Sequence, residues 1–510
     1  MESPAPDAPS HGTALASSGK PPLWKRPVTR RAALAGGATA AAGVALAALW
    51  RSGDLTQILQ HVQDLAHGYQ NPFTTDRVRV AHLLRRAGFG ATAQDLDHYA
   101  AMGTTAATEA VLGYSAVSNQ VLETELPPID PAALRNGAGN LRLQAWWLQR
   151  MAATARPLEE KMTLFWHGLL TSGLDKSGPG QLYLQNQLYR AHALGNFDDL
   201  LKAVTRDPAM MVYLDTETNR VGKPNENYAR ELMELFTTGI GHYSETDVRE
   251  SARAFTGWTL GRGNVRYPLQ STFVPRLHDA GMKTFMGKTG AFTGDDIIEM
   301  LVPLRATAER LSTKLFTFFA YPNPEPAIVQ HLADTFQQKR YNVGAVVRAI
   351  LTMDAFYSPK AYRAAAKSPA EYVAQMIRTT GALAAGPAAG ASGSGSVTSA
   401  QATGLNAAVA AMGAMGQVLF YPPNVAGWPG GSTWINSSAL MNRLNFANAL
   451  ARRVGPAFAG KTLDGMLATY LDGNVTDATK AGLQQLAAAH GSNPATLLYF
   501  VLATPEYQLN

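Results

Sequence analysis

The chain has 510 residues, 46% of them apolar, so it can bury a large core; it has no cysteine, which excludes disulfides, thiolate metal sites, covalent haem attachment and thiol nucleophiles. Its formal charge is +6, but Lys20, Lys25, Arg26, Arg30 and Arg31, set against Glu2 and Asp7, place half of it before Ala32. The remainder is small for so long a chain, and no basic run interleaved with aromatics follows, so no nucleic-acid partner is expected.

The first element, residues 1–50, reads as an address. Thr29-Arg30-Arg31-Ala32-Ala33-Leu34 opens an uncharged stretch that runs to Trp50 and is built largely of Ala and Gly. At about 1.5 Å per residue this stretch could just cross a hydrocarbon core of about 30 Å. Its only large apolar side chains, however, are Leu34, Val44, Leu46, Leu49 and Trp50. The pattern resembles a twin-arginine export signal, with Ala45-Leu46-Ala47 as a small-residue cleavage site. It predicts delivery by the twin-arginine machinery to the periplasm, the cell envelope or the medium, with the signal either removed or kept as an inner-membrane anchor at residues 32–50.

Downstream, apolar residues recur at helical spacing in Thr75–Ala87, Leu141–Met151, Leu158–Leu170 and Leu311–Ala320. The fold class expected is mainly α, a multi-helix globular architecture with a small β-hairpin excursion between Trp258 and Met286, where Gly, Pro and β-branched residues break the period. Residues 51–380 form one helical region and 381–404 an Ala/Gly/Ser-rich linker or loop; 405–510 form a C-terminal helical region. Leu419–Trp434 contains Tyr421-Pro422-Pro423 and Gly427-Trp428-Pro429-Gly430-Gly431 and cannot be helix, and Asn436 or Ser437 caps the helix after it.

One segment carries candidate chemistry. At 100° per residue, Asn225–Phe236 places Glu226, Asn227, Arg230, Glu231 and Glu234 on one face and Tyr228, Ala229, Leu232, Met233, Leu235 and Phe236 on the other. Glu231 and Glu234, three apart, could converge on one divalent cation, as paired carboxylates do in helical bundles. Equally, Glu226, Arg230 and Glu234 could form a solvated i, i+4 ladder.

Asn225-Glu226-Asn227-Tyr228-Ala229-Arg230-Glu231-Leu232, His278-Asp279-Ala280-Gly281-Met282-Lys283, Thr307-Ala308 with Lys314-Leu315, and Pro422-Pro423-Asn424-Val425-Ala426-Gly427-Trp428 stand in the order typical of one bacterial family. The sequence closely resembles the domain-of-unknown-function 1800 family from His82 to Tyr507. The resemblance implies a large exported protein of unassigned activity, encoded beside a second family similar to sulfatases. Members often carry a further His shortly after the pair matching Trp166-His167; here Gly168-Leu169-Leu170 follows, which puts in doubt any role needing two histidines.

Other motifs are incomplete. Gly287-Lys288-Thr289 lacks the first glycine of a phosphate loop and reads as a turn. Asp472-Gly473-Asn474-Val475-Thr476-Asp477 has Leu483 where a calcium loop needs Glu, and reads as a helix cap. His278-Asp279 is a base, a metal ligand with its orienter, or a hydrogen-bonded turn. His167 reads as a core histidine and Trp428 as a loop anchor or a platform for a sugar polymer. Two function classes follow. The favoured one is a helical scaffold or accessory protein working with a sulfatase-like partner on an extracellular polymer or surface assembly. The alternative is a metal-assisted hydrolase with Glu231, Glu234 and His278 as metal ligands, Asp279 as orienter or base and Arg230 steadying an anion.

Overall fold

The computed structural model describes residues 72–510 except 262–266, 384–398 and 491–492. Residues 1–50, read as an export signal, and most of the stretch 381–404, read as a linker or loop, therefore lie outside the described residues. Those described belong to one compact unit.

Local side chains set where the helices begin. Helix α1 (Asp76–Arg86) starts at Thr75, whose hydroxyl accepts from Val78 N–H, and α2 (Ala93–Met102) starts at a reciprocal Thr92–Asp95 box. After α3 (Thr104–Leu112), α4 (Gln120–Glu125) and α5 (Asn136–Ala153), proline occupies the start of α6 (Pro157–Leu169) and α7 (Pro179–Ala191), where its missing N–H costs nothing. Next come α8 (Phe197–Thr205), α9 (Pro208–Tyr213) and α10 (Asn227–Glu231). The last runs into a π-helical turn, Leu232–Phe236. Helix α11 (Glu245–Ala254) leads into two antiparallel two-stranded sheets, β1 (Trp258–Leu260) with β2 (Ser271–Phe273) and β3 (Lys283–Phe285) with β4 (Lys288–Gly290).

The chain continues through α12 (Gly294–Leu301), α13 (Arg305–Phe319), α14 (Pro326–Gln338), α15 (Val343–Thr352) and α16 (Pro369–Thr380). It ends with α17 (Ser399–Ala414), α18 (Ser437–Val454), α19 (Leu463–Tyr470), α20 (Asp477–His490) and α21 (Pro494–Leu502).

The architecture is mainly α, as the periodicity requires, with each of the four named stripes lying in a helix and Asn436 capping α18 through Ala439 N–H. Two details differ. The β excursion is two small sheets, and the second closes through Met286 (φ 49°) and Gly287 (φ 77°), a two-residue turn with both φ positive that suits the twist of its strands. Helix α17 begins at Ser399, inside the stretch read as linker, because that stretch ends in alanines with strong helix propensity.

Helix α6 sits deep in the molecule. Leu158, Met162 and Trp166 are fully buried, and Trp166 stacks on Phe197 of α8. Helix α5 packs against α6, α16 and α17, so the first third of the chain shares a core with the last. Among the described residues no helix is long and apolar enough to cross a membrane.

Candidate functional site

The carboxylate helix folds with the two faces that its sequence assigns. Tyr228, Ala229, Leu232, Met233 and Phe236 are buried, while Arg230, Glu231 and Glu234 lie at the half-buried border. The π turn closes because Thr237 and Thr238 hydroxyls donate to Leu232 O and Met233 O at 2.6 and 3.2 Å, and Gly239 (φ 85°) returns its N–H to Met233 O. Such turns often mark functional sites. Arg310 of α13 donates from Nε to Leu235 O at 3.3 Å and lies against Gly239, where a Cβ would come within 3.0 Å of its Nη1.

Each polar side chain on this face has a definite environment. Arg230 grips both oxygens of Glu245, the first residue of α11, at 2.8 Å and reaches Glu226 at 3.2 Å. The Tyr243 hydroxyl donates to Glu234 Oε2 at 3.2 Å. Burial, and then the charge of Glu234, push the Glu231 carboxyl above its ordinary range. The burial of Lys314, one turn beyond Arg310, and the like charge of Arg310 pull its ammonium down.

His278 and Asp279 sit elsewhere. Asp279 accepts from Arg253 Nε at 2.7 Å, Arg253 Nη2 at 3.1 Å and Gly281 N–H at 2.9 Å, and its own N–H donates to Thr256 Oγ1 at 2.8 Å. The guanidinium of Arg253 holds this carboxyl below its usual range. Lys283 Nζ donates to the carbonyls of Asp279 and Gly281 at 2.5 and 2.9 Å. His278 Nδ1 lies 3.0 Å from Thr256 O, so that nitrogen carries the proton and donates.

These contacts belong to a larger latch along α11. Asp247 accepts from Met286 N–H at 2.7 Å and Glu250 from Thr284 N–H at 3.1 Å, so these two side chains hold the β3–β4 hairpin while Arg253 holds the segment before it.

The five candidate residues therefore form two groups. Glu245 at the start of α11 fixes Arg230, and Arg253 near its end fixes Asp279; eight residues along a helix is about 12 Å. Among the described residues no group of three or more His, Asp or Glu side chains is placed to hold a metal ion. Glu231, Glu234 and His278 are thus not brought into one donor set, and Arg230 and Asp279 are each engaged by an opposite charge. The i, i+4 ladder exists only in part: Arg230 pairs with Glu226, while Glu234 turns to Tyr243.

Sequence reasoning missed the polar groups inside the core. Glu160, fully buried, accepts from Arg150 Nε at 2.6 Å, from Arg190 Nε at 2.6 Å and from Trp147 Nε1 at 3.1 Å. Burial alone would raise its pKa, but the two guanidinium groups outweigh burial and hold it low. Its neighbour Lys161 pairs with Glu371 of α16 between the rings of Phe89 and Phe318. The segment Asp472–Asp477 does cap a helix, Thr476 Oγ1 accepting from Thr479 N–H at 3.1 Å at the start of α20, while Asp472 itself is a buried partner of Arg85 at 2.7 Å and of the Tyr362 hydroxyl at 2.9 Å, in a left-handed conformation (φ 61°). The signal was present in α6, where Glu159-Glu160-Lys161 interrupts an apolar stripe. His167 is a core residue, 3.1 Å from Asn186 and caged by Trp147, Tyr189 and Phe420. The Trp428 loop is anchored at Gly427, where a Cβ would lie 2.3 Å from Gly168 O.

Against known families, the model described as "Protein of unknown function (DUF1800)" matches residues 82–509, and the chain belongs to that family. No curated protein and no solved structure matches it.

Proposed function

We propose that this member of the DUF1800 family is an exported envelope protein that acts as a helical scaffold or accessory component, working with a sulfatase-like protein on an extracellular polymer or surface assembly. One observation carries the scaffold reading. The most reactive-looking side chains, Arg230 and Asp279, are both ion-paired with α11, Arg230 of the carboxylate helix with Glu245 at its start and Asp279 of the segment before β3 with Arg253 near its end. Bidentate pairs of this kind give the elements they join a defined orientation. Export rests on Arg30-Arg31, and the sulfatase-like partner rests on the family resemblance.

A second reading, an envelope hydrolase, has one observation in its favour: Glu231 sits half-buried beside a π turn, with its carboxyl shifted toward the range in which an acid can carry a proton. Elemental analysis of the purified mature protein, with Glu231→Gln and Glu234→Gln, separates the two. The scaffold reading expects no stoichiometric metal. It also expects Glu231→Gln to leave stability unchanged or raise it, because the ionised carboxylate is the form that burial penalises. One metal per chain, lost in either variant, would establish the hydrolase instead.

A further inference from the structure

Helices α16, α17 and α18 meet around a cavity of about 200 Å³. We propose that it binds a single alkyl chain with an anionic head group, the chain lying between the helices and the head on Arg453. Four lining residues of α18, Phe446, Ala449, Leu450 and Arg453, fall at i, i+3, i+4 and i+7, so one face of that helix supplies an apolar wall that ends in a guanidinium. Leu405 of α17 and Ile377 of α16, both buried, also line the cavity. Gly404 of α17 lies against Arg453, where a Cβ would collide with Nη1, so the absence of a side chain lets the guanidinium rest close to that helix.

The lining selects both halves of the ligand. Arg453 has the only polar side chain in it, and no other described residue holds that guanidinium by an ion pair or a hydrogen bond. Water inside would find no other side-chain partner. An apolar cavity of about 150 Å³ stays dry and takes benzene, so this one has room for roughly eight carbon atoms. A carboxylate or phosphate at the end of such a chain meets a guanidinium through parallel charge-assisted hydrogen bonds, and no carboxylate lines the cavity to compete for it. A partner helix, about 10 Å across, is too large for the space, and a sugar would leave its hydroxyls unpaired against the apolar walls. The inference does not rest on the scaffold reading, and its failure would leave that reading as it stands.

The test is calorimetric titration of the mature full-length protein with butanoate, hexanoate, octanoate and decanoate, and with octanol as the uncharged control. Affinity is expected to rise about fourfold per added methylene and to level off near eight carbons. Octanol is expected to bind at least about tenfold more weakly than octanoate. Arg453→Gln, at an exposed position, is expected to remove that preference, and Ala449→Trp, also exposed, to block the cavity and abolish binding, with circular dichroism confirming both folds. Co-sedimentation with phosphatidylglycerol vesicles that octanoate reverses would identify the chain as that of a membrane lipid, and its absence, with octanoate still bound, as that of a free acid; both keep the proposal. No binding of octanoate, equal binding of octanol, affinity indifferent to chain length, or folded variants that bind as the parent does would each overturn it. Octanoate binding that appears only in a variant lacking residues 384–398 would assign the cavity to the chain itself and overturn it as well.

Discussion

Arg253 holds Asp279 through two parallel contacts, Nε to Oδ2 at 2.7 Å and Nη2 to Oδ1 at 3.1 Å, while its Nη1 reaches Glu250 at 2.8 Å and Met282 O at 3.1 Å. One guanidinium thus joins α11 to the segment before β3. The arrangement accounts for an aspartate next to a histidine without any reaction.

If that is its role, Asp279→Asn and Arg253→Gln should each cost about 1.5–3 kcal/mol in urea unfolding, the range for hydrogen bonds to a charged group. The double variant should cost much less than the two singles combined. The stabilisation also has a sign in pH. The folded carboxyl titrates below its unfolded value, so the contribution is present at neutral pH and lost as pH falls through the folded value. Additive losses, or a loss independent of pH between 7 and 3, would remove the latch.

Asp207 gives the opposite dependence. It caps α9 through Met210 N–H at 2.9 Å and accepts from Gln185 Nε2 at 2.8 Å, and burial pushes its carboxyl up to about 7. Because the folded value exceeds the unfolded one, this carboxyl contributes most at acid pH, and that contribution fades as pH rises from about 4 to about 7. Asp207→Asn should therefore raise stability at pH 8, by an amount on the order of 1–3 kcal/mol, and do little at pH 4. With the Asn Oδ1 in the place of Asp207 Oδ2, the bonds accepted from Met210 N–H and Gln185 Nε2 are both kept. Thermal melts of both proteins at the two pH values check this; a variant less stable at pH 8 would contradict it.

The Lys161–Glu371 pair is buried, and Glu371 is held at about 2 because the Lys161 ammonium outweighs the penalty of burial. Lys161→Met should cost roughly 3–5 kcal/mol, the range for stranding one buried charge, whereas Lys161→Met with Glu371→Leu should recover much of it. Guanidinium unfolding of the three proteins measures the difference. A single variant as stable as the parent would show that water reaches Glu371.

Export is tested without the structure. Changing Arg30 and Arg31 together to Lys keeps the charge but removes the paired guanidinium groups, and should leave the protein in the cytoplasm on cell fractionation. Unchanged delivery to the envelope would defeat the assignment.

Features that one stretch of chain determines were legible in the sequence. The two faces of Asn225–Phe236 follow from 100° per residue, Thr75 and Asn436 cap because a short side-chain oxygen meets an N–H three residues on, and Gly287 takes the positive φ of its turn. The partners of the charges were not legible. Lys161 meets Glu371 across 210 residues, and Arg85 meets Asp472 across 387. A sequence shows that Glu231, Glu234 and His278 could ligate one ion; only the packing around α11 decides that Arg230 of the carboxylate helix meets Glu245 at its start while His278 meets Thr256 beyond its end. The physical reason is range. Dihedral preferences, capping and amphipathic period act within about four residues, whereas an ion pair depends on where helices far apart in the chain meet, which is set by the packing of the whole core.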